Sequence, residues 1–163
     1  MKNVFKNRRG FTLLEIILAF VAMTVIAVVA GVGLVEITKG YVFSKKNAFV
    51  AQQGQIALAR LKKELSNITS VNLATATSIT FVTSDPSTGS SISHTISWAG
   101  GSSPLLLDGD TLVTPVASFN LSFYNFYSSA NSSYSSTTSM IEMTLKLNGA
   151  ENAVISFTDR VNL

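Results

Sequence analysis

The hydrophobic pattern of the chain changes near its start. An uncharged apolar run of 20 residues extends from Ile16 to Val35. At about 1.5 Å per residue, a helix of this length covers roughly 30 Å, the thickness of the hydrocarbon core of a bilayer. The sequence therefore predicts a membrane-spanning helix close to its N-terminus.

An amphipathic pattern follows from Glu36 onward. No proline interrupts residues 11 to 66, and several apolar residues recur at helical spacing. That stripe consists of Leu58, Leu61, Leu65 and Ile68. Because such a stripe covers one helical face, it predicts burial against another layer. We expect one helix from residue 11 to about residue 66, with its second half packed on a sheet.

Beyond residue 70 the period changes to two, which is typical of half-buried strands. Asp108-Gly109 and Asn148-Gly149 are turn signals between such segments, and the first predicts a tight hairpin. Short connections favour antiparallel pairing. The predicted fold class is α+β, with a long N-terminal helix packed on a mostly antiparallel sheet domain. The predicted strands are centred on residues 79–81, 92–98, 105–107, 111–113, 119–123, 141–147 and 154–161.

Four segments follow from these patterns. Residues 1–10 form a short basic leader, and residues 11–35 form the transmembrane half of the helix. Residues 36–69 form its amphipathic half, and residues 70–163 form a β-rich globular domain.

Charge is concentrated in the leader. Its basic residues are Lys2, Lys6, Arg8 and Arg9, and no acid accompanies them. Without them, 12 − 4 = 8 basic residues remain against 9 acidic ones, so the net charge changes from +3 to −1. Basic residues before an apolar segment favour the cytoplasmic side. We therefore expect a single-pass protein of the inner (cytoplasmic) membrane with its globular domain outside the cytoplasm, and we predict no nucleic-acid partner.

The composition restricts the chemistry. The chain has no cysteine and one histidine, His94. Disulfides, thiol nucleophiles and zinc clusters are therefore excluded, and no nucleophile–base set indicates an enzyme. Asp108 and Asp110 offer two carboxylates to a calcium ion, but a turn explains them better. We predict no metal, no cofactor and no catalytic residue, with His94 as a core or edge histidine.

Two further residue groups admit more than one role. The aromatic residues late in the chain fit either a strand core or a sugar-binding platform, and the core is favoured. These residues are Phe119, Phe123, Tyr124, Phe126 and Tyr127. Four lysines fit a solvated helix face or pairing with acids of neighbouring molecules. These lysines are Lys45, Lys46, Lys62 and Lys63.

The most informative segment is Arg-Arg-Gly-Phe-Thr-Leu-Leu-Glu at residues 8–15. In a secretory signal, the cleavage site follows the apolar region. Here the small residue at the boundary, Gly10, precedes it. Cleavage between Gly10 and Phe11 would therefore leave the membrane anchor on the mature protein. The alternative is an ordinary, uncleaved signal anchor.

Glu15 is a carboxylate among leucines and isoleucines. A charge within a membrane segment costs at least about 2.5 kcal/mol on insertion scales, so it requires a partner. A free α-amine at Phe11, four residues earlier on the same helical face, would supply one. The alternative is a charge tolerated near the membrane surface, because Glu15 lies one turn into the segment.

This segment resembles the class III signal of type IV pilins and type II secretion pseudopilins over about the first 35 residues. The resemblance implies that a prepilin peptidase cleaves after Gly10 and methylates the amine of Phe11, giving N-methylphenylalanine. It also implies that Glu15 neutralises the N-terminal amine of a neighbouring subunit during assembly. Many pilins carry a proline about a dozen residues beyond Phe20, where this chain has Gly31 and Gly33.

The later segments are similar to those of J-type minor pseudopilins and PilW-like minor pilins. The implied function is a minor pilin or pseudopilin in a type IV pilus-like (fimbrial) or type II secretion filament. The implied partners are prepilin peptidase, other pilin or pseudopilin subunits and the inner membrane, with an assembly platform protein and an ATPase acting indirectly. The alternative is a pilin-like, membrane-anchored binding module that recognises a secreted substrate, DNA or a surface.

Overall fold

The computed structural model describes residues 11–85, 87–125, 130–131 and 133–163. Its fold is α+β, with one long helix followed by strands in two antiparallel sheets. The elements are α1 Leu13–Leu65, β1 Ile68–Ala74, β2 Ser78–Ser84, β3 Ser91–Trp98, β4 Leu105–Leu107, β5 Asp110–Val113, β6 Val116–Tyr124, β7 Ala130–Asn131, β8 Met140–Asn148 and β9 Val154–Asn162. A 3-10 turn, Ala150–Asn152, joins β8 to β9.

The chain divides into two compact units, one ending at Val42 and one extending from Phe43 to Leu163. In the second unit, one face of α1 is buried at Val50, Gly54, Ala57, Leu58, Leu61 and Leu65. Each of them lies three or four residues from another member of the set, which places them on one side of the helix. The predicted stripe is therefore confirmed at its first three positions, Leu58, Leu61 and Leu65.

The fourth stripe position, Ile68, was predicted wrongly. It begins β1 and pairs with Thr83 of β2. The helix ends at Leu65 because Ser66 and Asn67 form a turn, in which Asn67 N–H donates to Glu64 O at 3.3 Å. Short polar side chains compete with helical backbone bonds, and the β-branched residues that follow favour a strand.

The first sheet has the order β1-β2-β3-β4-β5 and the second has the order β7-β6-β8-β9. The mostly antiparallel sheet domain predicted from the sequence therefore consists of two sheets. All pairs are antiparallel, as predicted. The sequence patterns missed β1 and the short β7, which falls inside a segment rich in Ser and Thr.

The core lies between the inner faces of the strands and the buried face of α1. The alternating residues of β6 and β8 are all buried, as the period of two predicted. Phe119 and Phe123 therefore belong to the core, whereas Tyr124 lies on the opposite face and is half-buried. Phe126 and Tyr127 lie outside the described residues. The buried residues of β6 and β8 are Val116, Phe119, Leu121, Phe123, Met140, Ile141, Met143, Leu145 and Leu147.

The predicted hairpin is confirmed. β4 and β5 flank Asp108-Gly109, whose φ angles of 56° and 87° are both positive. Two positive φ angles define the type I′ turn, which matches the twist of the flanking strands. Asp and Gly are among the residues that tolerate this conformation.

Candidate functional site at the start of the helix

Thr12 caps the N-terminus of α1. Its Oγ1 accepts a hydrogen bond from Glu15 N–H at 3.3 Å, and Thr12 N–H donates to Glu15 Oε2 at 3.4 Å. This reciprocal pair is a capping box, which satisfies two backbone donors that have no partner inside the helix. Glu15 therefore has a local role that the charge argument did not include.

The cap corrects the predicted start of the helix. The helix begins at Leu13 rather than at Phe11, because Thr12 takes the capping position. Phe11 and Glu15 nevertheless line the same shallow groove, together with apolar side chains of the next two turns. The other lining residues are Ile16, Ala19, Phe20 and Met23. The structure thus brings these two predicted site residues together.

The signal for the capping box was present in the sequence. Thr12-Leu13-Leu14-Glu15 matches the pattern Ser/Thr-x-x-Glu that precedes an apolar run. The motif was interpreted only through the charge of Glu15, so Thr12 was missed as a site residue. Gly10 and the leader bases Lys2, Lys6, Arg8 and Arg9 lie outside the described residues.

The first half of α1 is apolar and exposed along its whole circumference. Every large hydrophobic side chain from Phe11 to Ile37 is exposed, including Phe11 at 80% and Ile26 at 68%. Among the described residues, α1 is the one helix that is long and apolar enough to cross a membrane. Its mean hydropathy reaches 2.7 over its most apolar stretch, none of which is buried.

Polar groups within this segment are satisfied locally. Thr24 Oγ1 donates to Phe20 O at 2.6 Å, and Thr38 Oγ1 donates to Leu34 O at 2.8 Å. Such bonds suit an apolar surrounding, where an unsatisfied hydroxyl is costly. Beyond the apolar run, Glu36 and Lys39 form an exposed ion pair at 3.2 Å. Charge therefore returns to the helix where the apolar run ends.

His94 lies on β3 and is held by Asp108. Its Nδ1 is 2.7 Å from Asp108 Oδ2, while Asp108 Oδ1 accepts a hydrogen bond from Thr95 N–H at 2.7 Å. Burial acts to raise the pKa of Asp108, but these two hydrogen bonds, together with electrostatic attraction to His94 and Arg60, outweigh it and hold that pKa below its usual value. Both carboxylate oxygens of Asp108 therefore have partners within the fold.

Two further ion pairs involve β9. Lys62 Nζ lies 2.9 Å from Asp159 Oδ1, so this lysine is not the simple solvated residue that the sequence predicted. Burial acts to raise the pKa of Asp159, but the hydrogen bonds from Lys62 and from Arg160 N–H, together with the charge of Lys62, lower that pKa further than burial raises it. On the outer face, Arg160 Nε contacts Glu142 Oε2 at 2.6 Å. Lys45 and Lys46 are exposed, as expected.

Among the described residues, no three His, Asp or Glu side chains are placed to share a metal ion. Comparison of the chain with models of known protein families finds no match, and comparison with curated proteins finds none either.

Proposed function

We propose that this protein is a structural subunit, a minor pilin or pseudopilin, of a type IV pilus-like or type II secretion filament. A prepilin peptidase cleaves it after Gly10 and methylates Phe11, and the N-terminal helix then carries it from the inner membrane into the filament. This role requires no catalytic group and no cofactor.

The observation that carries the proposal is the exposed apolar surface of residues 11–37. Removing a large aliphatic side chain from water is worth about 1.5–3 kcal/mol, so this surface requires an apolar surrounding. A bilayer supplies one before assembly, and a bundle of like helices supplies one afterwards. Transfer between the two retains the burial, so it involves little loss of hydrophobic free energy.

The geometry around Glu15 also supports the proposal. Cleavage after Gly10 would leave the Phe11–Thr12 amide intact, so the Thr12 N–H that bonds Glu15 Oε2 would remain. Among the described residues, Glu15 Oε1 has no hydrogen-bond partner. One carboxylate oxygen can therefore cap the helix while the other accepts a hydrogen bond from a charged amine of a neighbouring subunit.

Mass spectrometry of the protein co-expressed with a prepilin peptidase tests the processing step. We expect a mature chain that begins with N-methylated Phe11. A Gly10→Val variant should keep its leader, whereas a matched Asn7→Val variant should be cleaved normally. An intact N-terminus in the parent protein, or cleavage at another bond, would refute the proposal.

A further inference from the structure

The edge strands of the two sheets differ in how well they are protected from pairing with strands of other molecules. β5 has 4 residues and β7 has 2, and the pairing of β1 with β2 shifts register twice. Short edges and bulges discourage pairing with foreign strands. In contrast, β9 has 9 residues, contains no proline, and pairs with β8 at every position without a register shift. β9 is therefore the longest regular edge in the described part of the chain.

The backbone orientation of β9 can be derived from its neighbours. Just beyond its end, Leu163 N–H donates toward β8, to Ser139 O at 3.0 Å. Because orientation alternates along an antiparallel strand, even-numbered residues direct their N–H and C=O groups away from β8. Arg160 N–H fits this pattern, since it bonds Asp159 Oδ1 at 2.8 Å rather than a strand. Val154, Ser156 and Thr158 thus present backbone groups to the open edge.

A groove runs between this edge and α1. One part lies between Ala59 and Lys62 of the helix and Phe157 to Asp159 of the strand. The next part lies between Lys62 to Ser66 and Arg160 to Asn162. The charged side chains along the groove are those of Lys62, Lys63 and Asp159, whereas the Arg160 side chain pairs with Glu142 on the outer face. Lys63 has no ion-pair partner within the described ranges, so the groove favours negative charge.

We propose that the β9 edge binds an extended, carboxylate-bearing segment of another polypeptide as an added strand. The segment pairs with the backbone of Val154 to Thr158. Its acidic side chains lie next to Lys62 and Lys63. Main-chain hydrogen bonds supply the binding and the lysines supply the preference for acids. The inference does not depend on the proposed function, because it uses contacts of the second compact unit alone.

The test uses the full chain in detergent micelles and a fluorescent ten-residue peptide of alternating Glu and Val. We expect saturable binding by anisotropy, and slower hydrogen exchange of the Ser156 and Thr158 amides when the peptide is present. A Lys–Val peptide of the same pattern should bind at least tenfold more weakly. An equally strong Lys–Val interaction, or unchanged exchange at those amides, would overturn the proposal.

Variants separate the backbone contribution from that of the side chains. Thr158→Pro removes an outward-facing donor, which an edge strand tolerates, and should weaken Glu–Val peptide binding at least tenfold. Thr158→Ala keeps the donor and should bind normally. Lys63→Glu should weaken binding, whereas Lys46→Glu, outside the groove, should not. If the full chain self-associates and Thr158→Pro abolishes that self-association, the occupant of the edge is a second copy of the chain. That result would contradict an acidic partner segment.

Discussion

Gly54 of α1 packs directly against the ring of Phe157 on β9. A Cβ at position 54 would lie only 2.6 Å from Phe157 Cζ, which is closer than carbon atoms approach without overlap. Glycine has a low intrinsic helix propensity, so by itself Gly54 would weaken the helix. The fold instead uses it as the contact that lets β9 approach α1.

Gly54→Ala is expected to destabilise the globular unit despite the better helix propensity of alanine. The overlap should cost about 1–3 kcal/mol, as overpacking of cores does. This loss of stability is measured by thermal unfolding, with near-ultraviolet circular dichroism as the signal. Gly40→Ala is the matched control, because nothing lies within 4 Å of that position, and it should not lower the melting temperature. Adding Phe157→Leu should recover part of the loss; no recovery would contradict the assigned contact.

Glu15→Gln distinguishes the charge of Glu15 from its role in the cap. Glutamine preserves the capping bond to Thr12 N–H but carries no charge. If Glu15 pairs with the amine of a neighbouring subunit, Gln and Ala variants should both insert, be cleaved and fail to assemble. The measurement is the amount of each variant in sheared filaments relative to the membrane. Normal assembly of Glu15→Gln would show that capping alone accounts for this residue.

Asn47 joins α1 to the turn after β8. Its Oδ1 accepts a hydrogen bond from Ala150 N–H at 2.8 Å, and Ala150 is buried. Asn47→Ala would leave that N–H without a partner, at a cost of about 1–3 kcal/mol. We expect a lower midpoint of urea unfolding with an unchanged slope. Lys46→Ala, at the neighbouring exposed position, should leave the midpoint unchanged within error.

The Lys62–Asp159 pair predicts a loss of stability in acid. The pKa of Asp159 is lower in the folded state than its ordinary value of 3.8, so the folded state favours the charged form. Its contribution is therefore complete above that ordinary value and is lost as the pH falls through the lowered pKa. Since both side chains are partly exposed, we expect Asp159→Asn to cost only about 0.2–1 kcal/mol at pH 7.

The pH dependence itself is measured by urea unfolding between pH 2 and pH 7. Asp159→Asn should reduce the difference in stability between the two ends of that range. Asp110→Asn is the control, since Asp110 is exposed and forms no ion pair within the described residues. An identical acid response in the parent protein and in Asp159→Asn would contradict the assigned pair.

The loop around Asp85 provides a second prediction about a lowered carboxyl pKa. Asp85 accepts hydrogen bonds from Ser87 N–H and Ser87 Oγ, at 2.8 and 2.6 Å, and from Thr88 Oγ1 at 2.8 Å. These bonds lower the pKa of Asp85 to about 2, with the Ser87 hydroxyl as the main cause. Titration of the Asp85 carboxyl by NMR should therefore give a lower pKa than in a Ser87→Ala variant. Equal values would contradict the loop geometry.

The parts of the fold that were correctly predicted depend on local periodicity. The apolar run, the stripe at Leu58, Leu61 and Leu65, and the alternation in β6 and β8 each reflect which residues face away from water. The Asp108-Gly109 hairpin was predictable because its turn requires residues that accept positive φ. The capping box could also be predicted from Thr12 and Glu15, although the pattern was interpreted only through the charge of Glu15.

Other features depend on contacts between distant residues. Ile68 continues a helical stripe by spacing, but pairing with Thr83 places it in a strand. The division into two sheets, the contact of Gly54 with Phe157 and the pairing of Lys62 with Asp159 join residues far apart in the chain.

Periodicity therefore determines which face of each element avoids water, and it depends only on residues that are close together in the chain. Which elements meet, and which edge of a sheet stays open, depends on how the whole chain packs. Only the tertiary structure decides those features, because a local pattern contains no information about its distant partner.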